Sequence, residues 1–285
     1  MIYLAIVSVI WAFSFGLIGN TLAGIDSYLI GTLRLCIASL IFLPFLRYRK
    51  IKTNDRIRLF IYGSIQFGLM YTCYMRAYHY LPSHLVAIFS ILTPVYIVFI
   101  HDIRQRTFSK HYLWIAFLSV LGAGCIKAKN FPSGDIWMGF GLMQLAGISF
   151  AFGQVAYRDW KSKNSKVKDL SIFAFLTLGG TFGIGIFSFL LTDFNSIELS
   201  TDNWKSIVYL GCIASGAGFF LWNKGASQTN PGTLAAFNNA VVPIAVLFSL
   251  FWFEEKKDIE NQNLIRLIIG STLIFIAVFL SQRKN

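Results

Sequence analysis

Asparagine and serine side chains interrupt two apolar stretches of this sequence, each close to a proline. Asn238 and Asn239 precede Pro243, and Ser90 precedes Pro94. A buried amide is costly in hydrocarbon unless it is hydrogen-bonded, and a proline within a helix leaves a carbonyl one turn back without its N–H partner. We expect these three polar residues to bind the carboxylate or ammonium group of a small ligand. The alternative is that they hold neighbouring helices together.

Two glutamines and a tryptophan lie within other apolar stretches. Gln144 and Gln154 belong to one stripe with Gly147 and Ala151, which indicates either a water-lined wall or hydrogen bonds between helices. Trp11 lies in the middle of the first apolar stretch, away from the headgroup level that tryptophan prefers. Its ring either lines a cavity or is apolar bulk that faces lipid or packs against other helices.

A third group consists of aromatic residues on one helical face. At 100° per residue, Phe67, Tyr71, Tyr74 and Tyr78 fall within about 60° of one another. Tyrosine hydroxyls within a membrane need hydrogen-bonding partners. The stripe therefore predicts either a polar cavity or close contact with neighbouring helices.

Catalytic, metal and cofactor sites are not predicted. The sequence has no GxxxxGK[ST], GxSxG, HExxH or strand-linked GxGxxG motif. Its four cysteines lie in apolar stretches without metal-ligand spacing and are interpreted as packing residues. His79 and His84 flank a short loop, and no Ser/His/Asp set falls at one depth, so an intramembrane enzyme is a weak alternative.

The composition places these residues in a membrane. Of 285 residues, 55% are apolar, 16% aromatic and 13% charged, and the charged share of a soluble domain is about 25%. The net charge of +12 comes from short clusters and not from a basic folded face. A soluble enzyme and a nucleic-acid-binding protein are therefore excluded, and the lipid bilayer is the expected surrounding.

Ten apolar stretches are long enough to cross a bilayer, each near the 20 or so residues that a spanning helix needs. They cover about residues 2–20, 28–46, 59–80, 83–101, 111–127, 136–157, 170–192, 204–224, 232–252 and 264–282. With both termini inside, seventeen of the 25 Lys and Arg residues fall in inner loops and tails and six in outer loops. The positive-inside rule then predicts a multi-pass protein of the cytoplasmic (inner) membrane with both termini cytoplasmic. All 13 acidic residues fall in loops or at span ends.

The chain also repeats itself. Aligning residues 73–99 with residues 222–248 matches six identities, including Pro82 with Pro231 and Pro94 with Pro243. Each half holds five spans, and because five is odd the second half must enter the membrane inverted. The predicted fold is thus an all-α polytopic membrane protein of ten transmembrane helices, with one five-helix repeat in residues 1–135 and an inverted one in residues 136–285. Such repeats are typical of secondary transporters, with the substrate site where the halves meet.

At these motifs the chain resembles the ten-helix EamA-like family of the drug/metabolite transporter superfamily. The resemblance covers nearly the whole chain, and its most specific parts are Arg34-Leu35, the segment from Ala77-Tyr78 through Pro82 to Thr93-Pro94, and the segment from Gly225-Ala226 through Pro231 to Pro243, followed by Phe253-Glu254-Glu255. The chain departs from the family pattern where it reads His101-Asp102-Ile103-Arg104 and Trp11-Ala12. The resemblance implies movement of small polar metabolites, above all amino acids, through a central cavity between the halves.

The sequence therefore predicts a secondary transporter, either a facilitator or an exchanger, that moves a small-molecule substrate by alternating access. Amino acids are the expected substrates. Organic cations or drugs are the alternative, since Trp11, Tyr71, Tyr74 and Trp222 offer cation–π contacts, and a non-transporting scaffold is the alternative from another class. Arg34 and Arg76 are expected to extend to the headgroups from the outer ends of their spans. The sequence leaves open whether the chain forms a homodimer.

Overall fold

The computed structural model describes residues 1–22, 24–77, 79–81, 86, 89–127, 136–194, 197–251 and 261–282, and every regular element within these ranges is helical. The α-helices are α1 (Ile2–Thr21), α2 (Ser27–Phe42), α3 (Thr53–Gly63), α4 (Met70–Ala77), α5 (Thr93–Gln105), α6 (Lys110–Lys127), α7 (Trp137–Lys163), α8 (Phe173–Leu191), α9 (Thr201–Tyr209), α10 (Gly218–Gln228), α11 (Pro231–Phe251) and α12 (Asn261–Leu280). Short 3₁₀ turns occupy Leu43–Phe45, Tyr48–Lys50, Ser90–Leu92 and Asp169–Ser171.

Polar residues mark several helix ends. The Asp26 carboxylate accepts the backbone N–H of Leu29 at the start of α2, and Ser200 with Asn203 forms a capping box at the start of α9. Both arrangements satisfy N–H groups that the first helical turn leaves without partners. Arg106, in the left-handed conformation at φ 54°, ends α5.

Five helical segments in the described ranges are long and apolar enough to cross a membrane: residues 27–45, 137–163, 173–191, 201–228 and 231–248. Shorter apolar helices cover residues 2–14, 110–126 and 265–280. The structure is thus that of a polytopic membrane protein, while the number of ten spans stays a prediction. The largest boundary differences are at α3, which begins at Thr53 and not near 59, and at α7, which continues to Lys163. In both places polar residues prolong the helix beyond its apolar part.

Two helices contain a π-helical segment. Ser64–Leu69 joins α3 to α4, and Leu210–Ala217 joins α9 to α10. In the register of the sequence repeat these segments overlap, since residue 64 corresponds to 213 and residue 69 to 218. π-helical turns are rare in proteins, and those that occur often lie at functional sites.

The helix pairings of the two halves mirror each other. Helix α1 packs against α11, and α5 packs against α7. Helix α2 packs against the second π-helix, and α8 against the first. Each contact thus has a counterpart in which the halves exchange roles. Helices α6 and α12, the last helix of each half, pack on each other. These pairings bring the π-helices and the long helix α7 to the middle of the molecule.

Candidate functional site

A buried pair of amides joins the first π-helix to α10. The Nε2 of Gln66 donates to Oδ1 of Asn223 at 2.8 Å, and the Nδ2 of Asn223 donates to Oε1 of Gln66 at 3.3 Å. Both side chains are fully buried. A Cβ on Gly153 would lie 2.1 Å from the Cβ of Gln66, so only glycine at 153 lets the Gln66 side chain lie against α7. The pair connects the two halves at the centre of the fold.

Four aromatic rings lie beside this amide pair. The Trp11 ring centroid is 4.7 Å from that of Trp222, 5.6 Å from that of Phe219 and 5.9 Å from that of Phe150. We call these four residues the aromatic cluster. The indole N–H of Trp11 donates to the carbonyl of Ala214 in the second π-helix at 2.9 Å. Trp11 is half-buried and packs among these rings, while a cavity-lining role stays a prediction.

Gln154 lies at the edge of the aromatic cluster with half of its amide unpaired. Its Oε1 accepts the indole N–H of Trp222 at 3.0 Å and the Nδ2 of Asn238 at 3.3 Å. The side chain is fully buried, and its Nε2 has no partner within the described part of the chain. An unpaired buried donor costs about 1–3 kcal/mol. Gln154 thus has a buried N–H donor for which the described residues supply no acceptor.

Arg34 is buried at 5% exposure, although the sequence places it near the outer end of a span. Its Nε donates to the hydroxyl of Ser215 in the second π-helix at 3.1 Å, and the guanidinium carbon lies 5.3 Å from the centroid of the Tyr71 ring. The expectation that Arg34 extends to the headgroups is therefore wrong, because its side chain turns inward toward Ser215. Arg76, by contrast, is exposed and lies over the ring of Tyr80.

The predicted tyrosine stripe is divided between two environments. Tyr71 is buried, and both it and Phe67 contact the ring of Phe219 in the aromatic cluster. Tyr74 is half-buried and also contacts the small apolar cluster around Met143. Tyr78 lies outside the described residues. The structure thus brings Tyr71, Trp11, Gln154 and Asn238 around one cluster.

The other predicted residues lie in two separate places. Gln144 accepts the hydroxyl of Tyr96 at 2.6 Å and donates to the carbonyl of Phe89 at 3.4 Å. Asn239 is buried and donates to the carbonyl of Ile91 at 3.0 Å. Ile91 directly follows Ser90, so Asn239 and Ser90 lie near each other. A substrate contact by these three residues stays a prediction.

Gln66, Asn223 and Arg34 were not among the predicted site residues. Gln66 and Asn223 are amide side chains within apolar stretches. The same feature pointed to Gln154, so it could have identified these two residues as well. The burial of Arg34 has no such signal, because it depends on where the second π-helix places Ser215.

A polar pocket of about 480 Å³ opens at one end of the helices, at the ends of α5, α7 and α10. Its lining includes His101, Gln105, Arg158, Asp159 and Ser227. The carboxylate of Asp159 accepts hydrogen bonds from Arg104 and Gln105, which ties α5 to α7. The pocket lies at the end that the charge distribution predicts to be cytoplasmic.

Comparison with known proteins gives the following relatives. The sequence profile of the EamA-like transporter family matches residues 1–127 and 133–283. A "Biotin transporter" of Salmonella typhimurium is 37% identical over 90% of this chain and 86% of its own length, and one of Escherichia coli is 38% identical with the same coverage. A "Probable biotin transporter" of Pseudomonas aeruginosa is 34% identical over 99% of this chain and 97% of its own length.

A solved crystal structure has the same fold. It superposes with a TM-score of 0.79 over 98% of this chain and 96% of that chain, at 14% sequence identity. The family match covers almost the whole sequence, in agreement with the resemblance seen in its motifs. The chain therefore belongs to the EamA-like transporter family and is not an enzyme.

Proposed function

We propose that this protein is a secondary transporter for biotin. Relatives at 34–38% identity over most of both chains are named as biotin transporters, and these names favour biotin over the amino acids expected from the sequence. Movement of substrate would occur by alternating access between residues 1–135 and 136–285. The two matched family segments and the mirrored helix pairings support this division.

The unpaired amide of Gln154 is the observation that carries the proposal. Biotin has a cyclic urea fused to a sulfur-containing ring. The carbonyl of this urea is a strong hydrogen-bond acceptor. We place this carbonyl at the Nε2 of Gln154, where the described structure provides a buried donor and no acceptor. The neighbouring Asn238 amide, half-buried and bound to Gln154, would contact the urea N–H groups.

The aromatic cluster suits the ring system of such a substrate. Trp11, Phe150 and Trp222 provide flat apolar surfaces next to Gln154. Sulfur beside an aromatic ring gains about 0.3–1.5 kcal/mol. A bicyclic urea uses both the cluster and the amide donor through one rigid ring system, whereas most amino acids have no ring to pack on the cluster.

The predicted topology belongs to the same proposal. We place ten spans in the cytoplasmic membrane with both termini inside, supported by the seventeen-to-six distribution of basic residues between inner and outer segments. Single cysteines at Ser165 and Leu199 in a Cys-less background test it. An impermeant thiol reagent should label position 199 from outside and leave position 165 unlabelled in intact cells, and the reverse pattern would overturn the orientation.

Biotin counterflow into proteoliposomes tests the function. Vesicles loaded with unlabelled biotin should take up labelled external biotin, and desthiobiotin, which keeps the urea ring, should compete. Amino acids and organic amines should not compete. Absence of counterflow by protein that is folded and correctly inserted would contradict the proposal.

A substitution of Gln154 tests the site separately. Gln154→Leu removes the donor, and we expect a loss of about 1–3 kcal/mol in substrate binding, or roughly five- to a hundredfold in affinity. Ser149→Ala is the control, because it removes a buried polar group from the same helix whose hydroxyl bonds to the Leu145 carbonyl. A larger effect of the control than of Gln154→Leu would contradict the placement of the urea ring.

A further inference from the structure

The guanidinium of Arg34 is a buried charge that has no counter-ion among the described residues. Its side chain is nine-tenths buried, eight residues into α2, and its hydrogen-bonded partner Ser215 lies about halfway along the helical segment 201–228. The ion pairs of the described residues involve other side chains. Among the described residues, the guanidinium makes one hydrogen bond, from its Nε to Ser215, and its two terminal nitrogens have no partner.

Neither neighbour of Arg34 neutralises its charge. The Ser215 hydroxyl is uncharged, and the face of the Tyr71 ring provides a cation–π contact worth about 1–2 kcal/mol. Removing an arginine from water costs more than this unless an anion pairs with it. The planar guanidinium has a donor fork that matches a carboxylate in a bidentate geometry.

A chain of side-chain contacts through the aromatic cluster connects Arg34 to Gln154. The ring of Tyr71, under the guanidinium, contacts Phe219, and Phe219 contacts Trp11. Trp11 contacts Trp222, whose indole N–H bonds to Gln154. A ligand with an acceptor at one end, an apolar middle and a carboxylate at the other end would satisfy both unpaired groups.

We propose that Arg34 binds the carboxylate of the transported solute, which makes the substrate class a monocarboxylate anion with an apolar ring. The inference rests on the proposed function and deepens it. In this arrangement Tyr71 and Ser215 are positioning residues, because they hold the guanidinium fork toward the aromatic cluster. The carboxylate would supply the counter-ion that the described protein groups do not.

The first test compares biotin with biotinamide, which has the same rings but no charge, as competitors of biotin counterflow. In the wild type, biotin should compete at least tenfold better than biotinamide. Arg34→Met should weaken competition by biotin ten- to a hundredfold and leave that by biotinamide within about twofold. Arg76→Met is the matched control, since it removes an exposed arginine that also lies over a tyrosine ring, and it should leave both unchanged.

Thermal stability separates this inference from the function itself. 5-Phenylvalerate, a ring with the same carboxylate-bearing chain, should raise the melting temperature of the purified wild type, and its amide should not. Arg34→Met should lose this shift. Equal shifts by acid and amide, or equal loss of biotin and biotinamide competition in a folded Arg34→Met variant, would overturn the carboxylate site. A charge-dependent shift without biotin counterflow would support the anion site while the biotin assignment fails.

Discussion

At the scale of single residues, Gln66 and Asn223 join the two halves through a pair of reciprocal amide hydrogen bonds. Each amide satisfies the other, so removal of one leaves a buried polar group unpaired at a cost of about 1–3 kcal/mol. We expect Gln66→Leu and Asn223→Leu each to lower the melting temperature. The double variant should be more stable than the sum of the two single effects predicts.

Thermal unfolding of the detergent-purified protein measures this cycle. Ser8→Ala serves as the control, because its hydroxyl bonds to the Leu4 carbonyl within one helix and its loss separates no helices. Additive effects of the two amide substitutions would show that Gln66 and Asn223 stabilise the fold independently.

Single residues were predictable where an isolated polar side chain lies in an apolar stretch. Gln154, Asn238 and Trp11 stood out in this way, and the structure places them around one aromatic cluster. Their contact with substrate stays a proposal. Arg34 was assigned to the headgroups because distance along the chain from a span end does not reveal the direction of a long side chain.

At the scale of elements, the first π-helix packs against α8 through small residues. The hydroxyl of Ser64 donates to the carbonyl of Gly179 at 2.9 Å, and Gly68 faces Gly183. A Cβ on Gly179 would lie 2.0 Å from the carbonyl oxygen of Phe60 in α3. Because backbone cannot retreat as a flexible side chain can, this crossing requires glycine at 179.

Gly179→Ala should therefore destabilise the protein, even though alanine favours helices. Overpacking costs about 1–3 kcal/mol, against a gain in helix propensity of up to about 1 kcal/mol. Gly185→Ala is the control on the same helix, since its Cβ would lie 3.9 Å from Thr32, an ordinary contact. Melting temperatures compare the two, and a Gly179→Ala variant as stable as Gly185→Ala would contradict the close crossing.

Hydrophobic periodicity predicted most of the apolar helical stretches, but not the π-helices. A helical wheel at 100° per residue loses its register where Ser64–Leu69 widens to a π-helix. Phe67 lies within that segment, whereas Tyr71 and Tyr74 follow it in α4. The widened segment packs against α8, a contact that the local sequence does not reveal.

At the scale of the whole molecule, hydrogen bonds join the halves at both ends. At the predicted outer end, Thr192 donates to Asp26 and Asn203 donates to the carbonyl of Thr21. At the other end the bonds run from Trp160 to Asp55 and from the Arg47 backbone to the Ser171 carbonyl. These contacts correspond to one another under exchange of the halves, which supports the proposal that the halves rock between two positions.

Energy coupling is a property of the whole molecule, and the placement of acidic residues bears on it. In the described ranges the buried carboxylates are Asp102 and Asp159, both near helix ends and away from the aromatic cluster. Burial alone raises the pKa of Asp102, but hydrogen bonds from the Ser109 backbone N–H and the His101 ring hold its pKa below the ordinary value. Asp102 thus stays ionised at neutral pH and is a poor proton carrier.

We therefore expect a facilitator or exchanger whose net flux follows the biotin gradient. Counterflow in proteoliposomes should proceed without a pH difference, and an imposed pH difference at clamped membrane potential should produce no protein-dependent accumulation above the external concentration. Vesicles without protein correct for biotin that crosses in its neutral acid form. Several-fold accumulation that requires both the protein and the pH gradient would show proton coupling. Asp102→Asn would then identify Asp102 as the carrier if it abolished that accumulation while counterflow persisted.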